Sequence, residues 1–242
     1  MNKHLHTEGI VIRKTDLNEA DRIVTLLTPD HGKIDCIAKG ARRLKSQFCG
    51  RLELFCYIRL TGFQGRDLVT LNEAHLIESF PQENDLDQHR ALFMIAEITH
   101  KLVQSRQLIE GSYPLLLETL EEIRKTEKFD SVLYAYLIRL LTLTGFLPKW
   151  NQCALCGTAL QPQHPIFVRL GDAHAVCGDC KHPADRALKT GVTQWINYMQ
   201  NYPMADTLRV KAEADQHADV WFWLKEVMQN VLSAPLRSEM VF

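Results

Sequence analysis

Two Cys-x-x-Cys pairs are the residues of this sequence whose type and spacing most clearly predict chemistry. Cys153 and Cys156 form the first pair, Cys177 and Cys180 form the second, and twenty residues without cysteine separate them. Each pair sets two thiolates on one short turn, where backbone amides can point at both sulfurs. Four such sulfurs complete the tetrahedral shell that Zn²⁺ prefers. The spacing therefore predicts one structural zinc site within about residues 150–183.

Three other uses of these cysteines stay open at this point: two disulfides, a redox-active pair, or buried thiols. A catalytic zinc is disfavoured, because such a site keeps an open position and commonly recruits histidine or carboxylate. Nearby histidines could replace a cysteine, but four cysteines already complete a shell. We expect these histidines to be solvated: His164, His174 and His182.

A search for other catalytic constellations finds none in the sequence. The chain has no His-Glu-x-x-His, Gly-x-Ser-x-Gly or Gly-x-x-x-x-Gly-Lys run. His6-Thr7-Glu8 matches half of the zinc deaminase signature, but no proline precedes Cys153 or Cys177. The sequence therefore predicts that the protein is not an enzyme.

Length and composition indicate a globular protein with more than one module. The chain has 242 residues and 46% hydrophobic content, enough for sizeable cores. It has no run of 18 apolar residues and no apolar run behind a basic N-terminus, which predicts a cytoplasmic protein. In a reducing compartment the paired cysteines are expected to bind zinc, and the others to be buried or half-buried. These others are Cys36, Cys49 and Cys56.

Any binding to nucleic acid would require a local cluster of positive charge, because 28 basic and 29 acidic residues nearly cancel. Such a cluster lies between Lys33 and Arg51, where six cations accompany a single carboxylate, Asp35. A solvated basic loop is the alternative interpretation. With one cation of the first predicted strand added, the candidate phosphate contacts are Arg13, Lys33, Lys39, Arg42, Arg43, Lys45 and Arg51.

Apolar residues between Thr7 and Phe80 recur at period two and predict five strands. We place the strands at Glu8–Lys14, Asp21–Thr28, Lys33–Ala38, Leu52–Thr61 and Arg66–Glu78. Five strands in about seventy residues suit a small closed barrel such as the oligonucleotide-binding fold, or OB-fold. That fold binds single strands across one face and its flanking loops. The basic cluster falls between the third and fourth strands, where aromatic residues are expected in the core rather than stacked on bases.

After Pro81 the apolar period changes to that of amphipathic helices. Helical stripes are predicted over residues 92–102, 113–123, 130–141, 188–199 and 220–231, with the third helix ending at Gly145. The sequence thus predicts an α+β protein of two domains. An N-terminal five-stranded OB-fold β-barrel spans residues 1–80, and a helical domain spans residues 81–242 and contains the small zinc-binding insert.

A series of short motifs follows the same order along nearly the whole chain. The N-terminal motifs are Glu8-Gly9-Ile10-Val11-Ile12-Arg13, Asn18-Glu19-Ala20-Asp21-Arg22, His31-Gly32-Lys33 and Ala38-Lys39-Gly40-Ala41-Arg42-Arg43. The C-terminal motifs are Arg139-Leu140-Leu141, Gly145-Phe146-Leu147-Pro148, Cys153-Ala154-Leu155-Cys156-Gly157 and Val176-Cys177-Gly178-Asp179-Cys180. In order and spacing this series resembles the RecO recombination mediators of bacterial DNA repair.

The resemblance implies a non-enzymatic mediator with an OB-fold barrel, a helical domain and one structural Zn²⁺. It implies binding of single- and double-stranded DNA and annealing of complementary strands. With RecR, such a protein helps to load RecA onto DNA coated by single-strand-binding protein, so it is expected at the bacterial nucleoid when it acts. The segment after Arg43 is less basic than in many relatives.

The resemblance also implies that the helical domain captures the acidic, apolar-ended C-terminal tail of single-strand-binding protein. Such a tail needs an apolar pocket and cations for its carboxylates. The candidate residues lie in and just after the third predicted helix: Tyr136, Arg139, Leu140 and Lys149. Alternatively, Arg139 pairs with an acidic neighbour inside the bundle.

Two other classes of function stay open. The barrel and the cysteines would also suit a zinc-ribbon transcription or translation factor that binds RNA, and a preference for folded RNA would favour it. A zinc enzyme or redox protein is the other class. An exchangeable water on the metal, or reversible thiol oxidation, would support that interpretation.

Overall fold

The structure is a computed structural model that describes residues 4–80, 85–161, 163–232 and residue 236. Two compact units are present. The first comprises Met1–Lys125 with Arg237–Phe242, and the second comprises Thr126–Leu236. The predicted domain ranges, residues 1–80 and 81–242, stay a prediction.

Five strands of the first unit form a closed barrel. They are β1 (His4–Leu17), β2 (Asp21–Thr28), β3 (Gly32–Ala38), β4 (Cys56–Gln64) and β5 (Val69–Ser79). Their order around the barrel is β1-β2-β3-β5-β4, and β1 closes it by pairing antiparallel with both β2 and β4. The short β3–β5 contact is parallel, with Cys36 opposite Val69. The predicted OB-fold barrel and the α+β class are confirmed.

The barrel closes because alternate residues of its strands are apolar and point inward. In β4, for example, Cys56, Ile58 and Leu60 are each at most 1% exposed. Each fully buried aliphatic side chain contributes about 1.5–3 kcal/mol to folding. The strands thus supply one continuous core, which also receives side chains from outside the strands.

The predicted start of the fourth strand at Leu52 is wrong, because β4 begins at Cys56. Leu52 and Phe55 are almost fully buried although they lie in turns, and Phe55 has a positive φ of 61°. Apolar residues that fill the barrel from a turn mimic the alternation of a strand. Residues 39–55 therefore form one long connection between β3 and β4, which we call the basic loop.

The first unit also contains helices α1 (Leu86–Leu102) and α2 (Ser112–Ile123), as the helical stripes predicted. Asp85 caps α1 through its carboxylate, which accepts hydrogen bonds from the backbone amides of Asp87 and Gln88 at 2.8 and 3.0 Å. Helix α1 packs against β1. One side of the barrel wall is therefore backed by a helix.

The second unit is a small helical bundle with an inserted sheet. Its helices are α3 (Phe129–Leu143), α4 (Val192–Asn201), α5 (Met204–Thr207) and α6 (Ala214–Val231). The insert contributes β6 (Phe167–Val168), β7 (Ala175–Val176) and β8 (Arg186–Ala187), in the order β7-β6-β8. Helix α3 contacts the other three helices, and Gly145 ends it with φ 77° at the predicted position. Among the helices of the described residues, none combines the length and apolar character needed to cross a membrane.

Candidate nucleic-acid interface and metal centre

The four paired cysteines converge on one point. Their Sγ atoms all lie within 4.8 Å of one another, and the Sγ atoms of Cys156 and Cys177 are 3.8 Å apart. A tetrahedron with metal–sulfur bonds of about 2.3 Å has sulfur–sulfur edges of about 3.8 Å. A disulfide would need about 2.05 Å, and all of these cysteines are free. The four residues therefore fit a metal ion.

Local hydrogen bonds explain why the two pairs meet. The amide of Gly157 donates to the carbonyl of Cys153 at 2.9 Å, and glycine suits the φ of 74° at this turn. The amide of Ala154 donates to the carbonyl of Ala175 in β7 at 3.0 Å. The amide of Cys177 then points at the Cys153 sulfur from 3.4 Å. Strand β7 thus carries the second pair to the first.

The electrostatics of the cluster favour a cation. Burial raises the pKa of the Cys153 thiol, but backbone N–H groups of Cys156, Cys177 and Leu155 outweigh it and lower that pKa to about 6. The neighbouring sulfurs of Cys156 and Cys177 raise the pKa of Cys180 to about 12. Four thiolates therefore require a positive ion between them.

The three histidines of the insert are exposed, as predicted, and stand outside the cluster of described metal-binding groups. They are His164, His174 and His182. The described part of the insert has a small hydrophobic cluster of its own, in which Cys153, Phe167 and Val176 are buried and Leu160, Cys177 and Cys180 pack against them. A cross-link through the sulfurs would compensate for that small core.

A buried carboxylate of α6 binds the C-terminal end of the insert. Asp219 is 4% exposed and accepts hydrogen bonds from the Arg186 guanidinium and the Lys189 backbone amide, both at 2.7 Å. The indole of Trp223 also donates to the carbonyl of Ala173 at 3.2 Å. Residues 173–189 are therefore positioned by the helical bundle as well as by sulfur.

The basic loop consists of successive tight turns and is not an extended loop. The amides of Arg43, Ser46 and Cys49 each donate to the carbonyl three residues earlier, at 3.1, 2.9 and 3.2 Å. Phe48 and Leu52 are buried in the barrel core, at 4% and 1% exposed. These two apolar side chains therefore anchor the loop to the barrel. Cys49, predicted to be at least half-buried, is exposed instead.

Three of the predicted phosphate contacts lie on the outer surface of this loop. Lys39, Arg43 and Lys45 are exposed. Within the described residues, none of their side chains forms an ion pair with a carboxylate. From Lys39 to Arg51 the sequence itself contains no acidic residue. This surface is therefore positive and open to an anionic ligand.

Two other predicted contacts have partners inside the first unit. Arg42 donates to the carbonyl of Asn18 at 2.5 Å, and its Nε lies 3.3 Å from the Asp16 carboxylate. Arg51 is half-buried and donates to the carbonyl of Ala74 at 2.9 Å. These arginines hold the loop in place.

Arg13 and Lys33 lie beside helix α1. Lys33 is only 6% exposed, and its ammonium donates to the carbonyl of His100. Burial lowers the pKa of Lys33, while the neighbouring Asp35 opposes this change. Arg13 is exposed, and its guanidinium lies 2.6 Å from Nε2 of His100. Lys33 is therefore held inside the first unit, and its ammonium does not face a ligand.

His100 is neutral at ordinary pH. Burial lowers its pKa to about 4, and the charges of Lys33 and Arg13 add to the effect. Since a guanidinium can only donate, Nε2 of His100 accepts and Nδ1 carries the proton. Sequence reasoning missed this residue, because nothing in its local sequence indicates that it meets two cations of the barrel.

Sequence reasoning also missed the carboxylates at the base of the loop. Asp16 and Glu53 both pair with Arg22, at 3.0 and 3.1 Å, and Glu53 pairs with Lys14 as well. Together with Arg42 these residues form a chain of alternating charges from β1 to the loop. The alternation of positive and negative residues is the only signal in the sequence that could have indicated these ion pairs. Even that signal is useful only when the pairing of the strands is already known.

The residues predicted to bind a partner tail are separated by the fold. Tyr136 and Leu140 are 0% exposed and belong to the core of the bundle. The Arg139 guanidinium donates to the carbonyls of Met199, at 2.9 Å, and Tyr202 near the end of α4. Lys149 is exposed and lines a groove of about 600 Å³ in the second unit. Only the two cations of the set therefore reach the surface.

Comparisons with known proteins cover almost the whole chain. Residues 1–80 match the family described as Recombination protein O N terminal, and residues 83–240 match Recombination protein O C terminal. The DNA repair protein RecO of Roseiflexus sp. (strain RS-1) is 30% identical over 235 residues, covering 96% of this chain and 82% of that protein. The protein of the same name from Bifidobacterium adolescentis is 30% identical and covers 96% of both chains. That of Bifidobacterium longum subsp. infantis is 35% identical over 182 residues, 74% of each chain.

Proposed function

Since this chain belongs to the recombination protein O family, we propose that it is a DNA repair protein that acts as a recombination mediator and performs no covalent chemistry. It binds single- and double-stranded DNA, anneals complementary strands, and with RecR helps to load RecA onto DNA coated by single-strand-binding protein. The observation that carries the proposal is a positive surface on a closed OB-fold barrel, formed by the part of the basic loop from Lys39 to Arg51, where the sequence has no acidic residue.

The principal phosphate contacts are the exposed cations of the basic loop, Lys39, Arg43 and Lys45. Arg13, Arg42 and Arg51 are secondary, because each already has a partner within the first unit. Lysine and arginine bind phosphates without reading bases, which suits a protein that must act on any damaged sequence.

Annealing follows from the same electrostatics. A strand whose phosphates are neutralised on the loop repels a complementary strand less than a free strand does. Contacts to the backbone leave the base edges available for pairing. No residue has to transfer a proton or form a covalent bond in this process.

We propose Zn²⁺ as the ion of the four-cysteine cluster, held by Cys153, Cys156, Cys177 and Cys180. Four sulfurs within 4.8 Å of one another suit this metal, and four thiolate ligands leave no position for a water or a substrate. The ion would supply a cross-link between two turns of an insert with a small core. Its role is therefore structural.

For the acidic tail of single-strand-binding protein, we propose Lys149 as the principal charged contact and Arg139 as a secondary one, because the Arg139 guanidinium already donates to two backbone carbonyls. Both lie in the second unit, and the groove beside Lys149 offers a place for an extended segment. Tyr136 and Leu140 stabilise the bundle beneath, because both are fully buried. Peptide binding to the Lys149→Ala variant tests this assignment, and unchanged affinity would refute it.

The central experiment measures binding of fluorescent single-stranded DNA at several salt concentrations. Replacing Arg43 and Lys45 together by alanine should lower the slope of log affinity against log salt by about 1.4, or about 0.7 for each lost phosphate contact. The matched control replaces Arg209 and Lys211, two exposed cations of the second unit, and should leave the slope unchanged. An unchanged slope in the loop variant, or a stronger preference for folded RNA, would contradict the proposed function.

A further inference from the structure

Leu44 of the basic loop exposes an apolar side chain among charged neighbours. Leu44 is 101% exposed, more than any other large apolar side chain of the described residues. It lies between Arg43 and Lys45, which are also exposed. A single exposed leucine is ordinary on a protein surface. This one, however, sits at the centre of the most concentrated positive segment of the chain.

The backbone turns of the loop and its anchored flanking residues keep Leu44 exposed. The turn closed by the Arg43 amide precedes it, and the turn closed by the Ser46 amide contains it. On one side Arg42 is fixed to Asn18 and Asp16, and on the other Phe48 enters the barrel core. With both flanks anchored, the leucine cannot fold back onto the barrel without breaking these contacts.

The immediate neighbours of Leu44 determine what can cover it. Two cations flank an apolar side chain within three consecutive residues, a length of under about 12 Å even when extended. The matching ligand carries negative charges at short spacing with apolar surface between them. Nucleic acid has this pattern, since each sugar that joins two successive phosphates carries a base beside the backbone.

We propose that Leu44 inserts between neighbouring bases of single-stranded DNA while Arg43 and Lys45 hold the flanking phosphates. The inference rests on the proposed function and adds a contact to the bases themselves. Leucine is among the residues that proteins use as apolar wedges between base steps. The insertion separates two stacked bases and leaves their pairing edges uncovered.

Insertion also predicts a preference among DNA forms. Separating bases is least costly in a single strand or at a mismatch, because less stacking and pairing is lost there. The cations alone would favour a fully paired duplex, whose charge density is greater. Leu44 would therefore shift the preference of the loop toward single strands without reading a particular sequence.

The test uses an oligonucleotide with 2-aminopurine within a run of adenines, whose fluorescence rises when the base is unstacked. The natural protein should raise the fluorescence at saturation. Leu44→Ala should remove more than half of that rise and weaken binding about fivefold, while the salt slope stays unchanged. Arg43→Ala with Lys45→Ala should change the slope instead.

The matched control is Leu86→Ala, which removes the same atoms from a leucine that is 67% exposed at the start of α1. It should behave like the natural protein. If Leu44→Ala keeps both the affinity and the full fluorescence rise, the insertion is refuted while the salt slope still supports the phosphate contacts. An absent fluorescence rise in the natural protein at saturation would refute it equally. If the loop cations leave the salt slope unchanged, the proposed function fails and the insertion fails with it.

Discussion

The basic loop and the four-cysteine insert are both long, irregular segments, yet different forces hold them in place. The loop takes its shape from the barrel, because Phe48 and Leu52 reach into a core that the strands have already built. The insert has a small hydrophobic cluster around Cys153, Phe167 and Val176, and it depends on its sulfurs and on Asp219 as well. An irregular segment can thus become ordered in two ways: its side chains pack into the core of a neighbouring element, or a cross-link joins its turns.

This difference also separates what the two segments can do. The loop is held by its apolar residues and by Arg42, so its remaining cations can face a ligand. The insert directs its reactive groups inward, where the sulfurs meet one another. One segment is suited to binding, and the other to stability.

Removing the proposed Zn²⁺ should have the largest effect on stability, and that effect should be confined to the insert. Metal binding in small sites of this kind contributes apparent free energies of about 10–16 kcal/mol. Cys177→Ser, or a strong chelator, should therefore strongly lower hydrogen-exchange protection across residues 153–180 and leave the barrel strands protected. Metal analysis should give one Zn²⁺ per chain before treatment. Cys49→Ser, at an exposed cysteine of the loop, is the control and should change neither result.

Removing the apolar anchor of the loop should have the next largest effect. Phe48→Ala leaves a cavity in the barrel core and should lower the free energy of unfolding by about 3 kcal/mol. Urea unfolding measures this change. Leu44→Ala removes apolar atoms from the same loop but at an exposed position, so it should cost less than about 0.5 kcal/mol. Equal effects of the two substitutions would show that the loop does not depend on the barrel core.

The half-buried His100 of α1 predicts that the stability of the protein depends on pH. The pKa of His100 is lowered to about 4 in the folded protein, against about 6.5 unfolded. The unfolded chain therefore takes up a proton first, and stability falls as pH decreases from about 6.5 to about 4. After allowance for solvent screening, the loss should reach about 2 kcal/mol.

Urea unfolding across this pH range checks the expectation with two variants. His100→Gln should flatten the dependence, whereas His75→Gln, at a side chain that is 65% exposed, should preserve it. A profile for His100→Gln that matches the natural protein would assign the pH dependence to other groups.

The smallest expected effect distinguishes two adjacent arginines of the loop. Arg42 is paired with Asp16 in an exposed ion pair, so Arg42→Ala should cost at most about 1 kcal/mol of stability. Arg43 has no such pair within the described residues, so Arg43→Ala should leave stability unchanged but lower the salt slope of DNA binding by about 0.7. The reverse assignment of the two effects would show that Arg42 is the phosphate contact and that its pair with Asp16 opens on binding.

Local patterns made much of this molecule predictable. The boundaries of β2 agree with the alternation of its residues, and the end of α3 agrees with the glycine at residue 145. The cysteine cluster could be recognised because the two ligands of each pair lie on a single turn. Such features depend on neighbours within a few residues, which the sequence lists directly.

The individual roles of the cations could not be read in the same way. Lys33, Arg42 and Arg43 belong to one basic cluster in the sequence, yet they are respectively buried, paired and exposed. Likewise Tyr136 and Leu140 occupy the core instead of lining a pocket, because α3 is surrounded by three helices. Charge and hydrophobicity alone do not say which neighbour a side chain meets.

The closed barrel, the helical stripes and the convergence of two cysteine pairs were all predictable from the amino-acid sequence. These follow from periodicity and ligand spacing, which act over short distances along the chain. The contact of Lys33 with α1 and the ion pair between Asp16 and Arg42 were not predictable, because they depend on how the folded chain packs. The exposed position of Leu44 between two cations was not predictable either. The physical reason is that burial and ion pairing depend on residues distant in sequence, whose positions are set when the strands close and the helices pack.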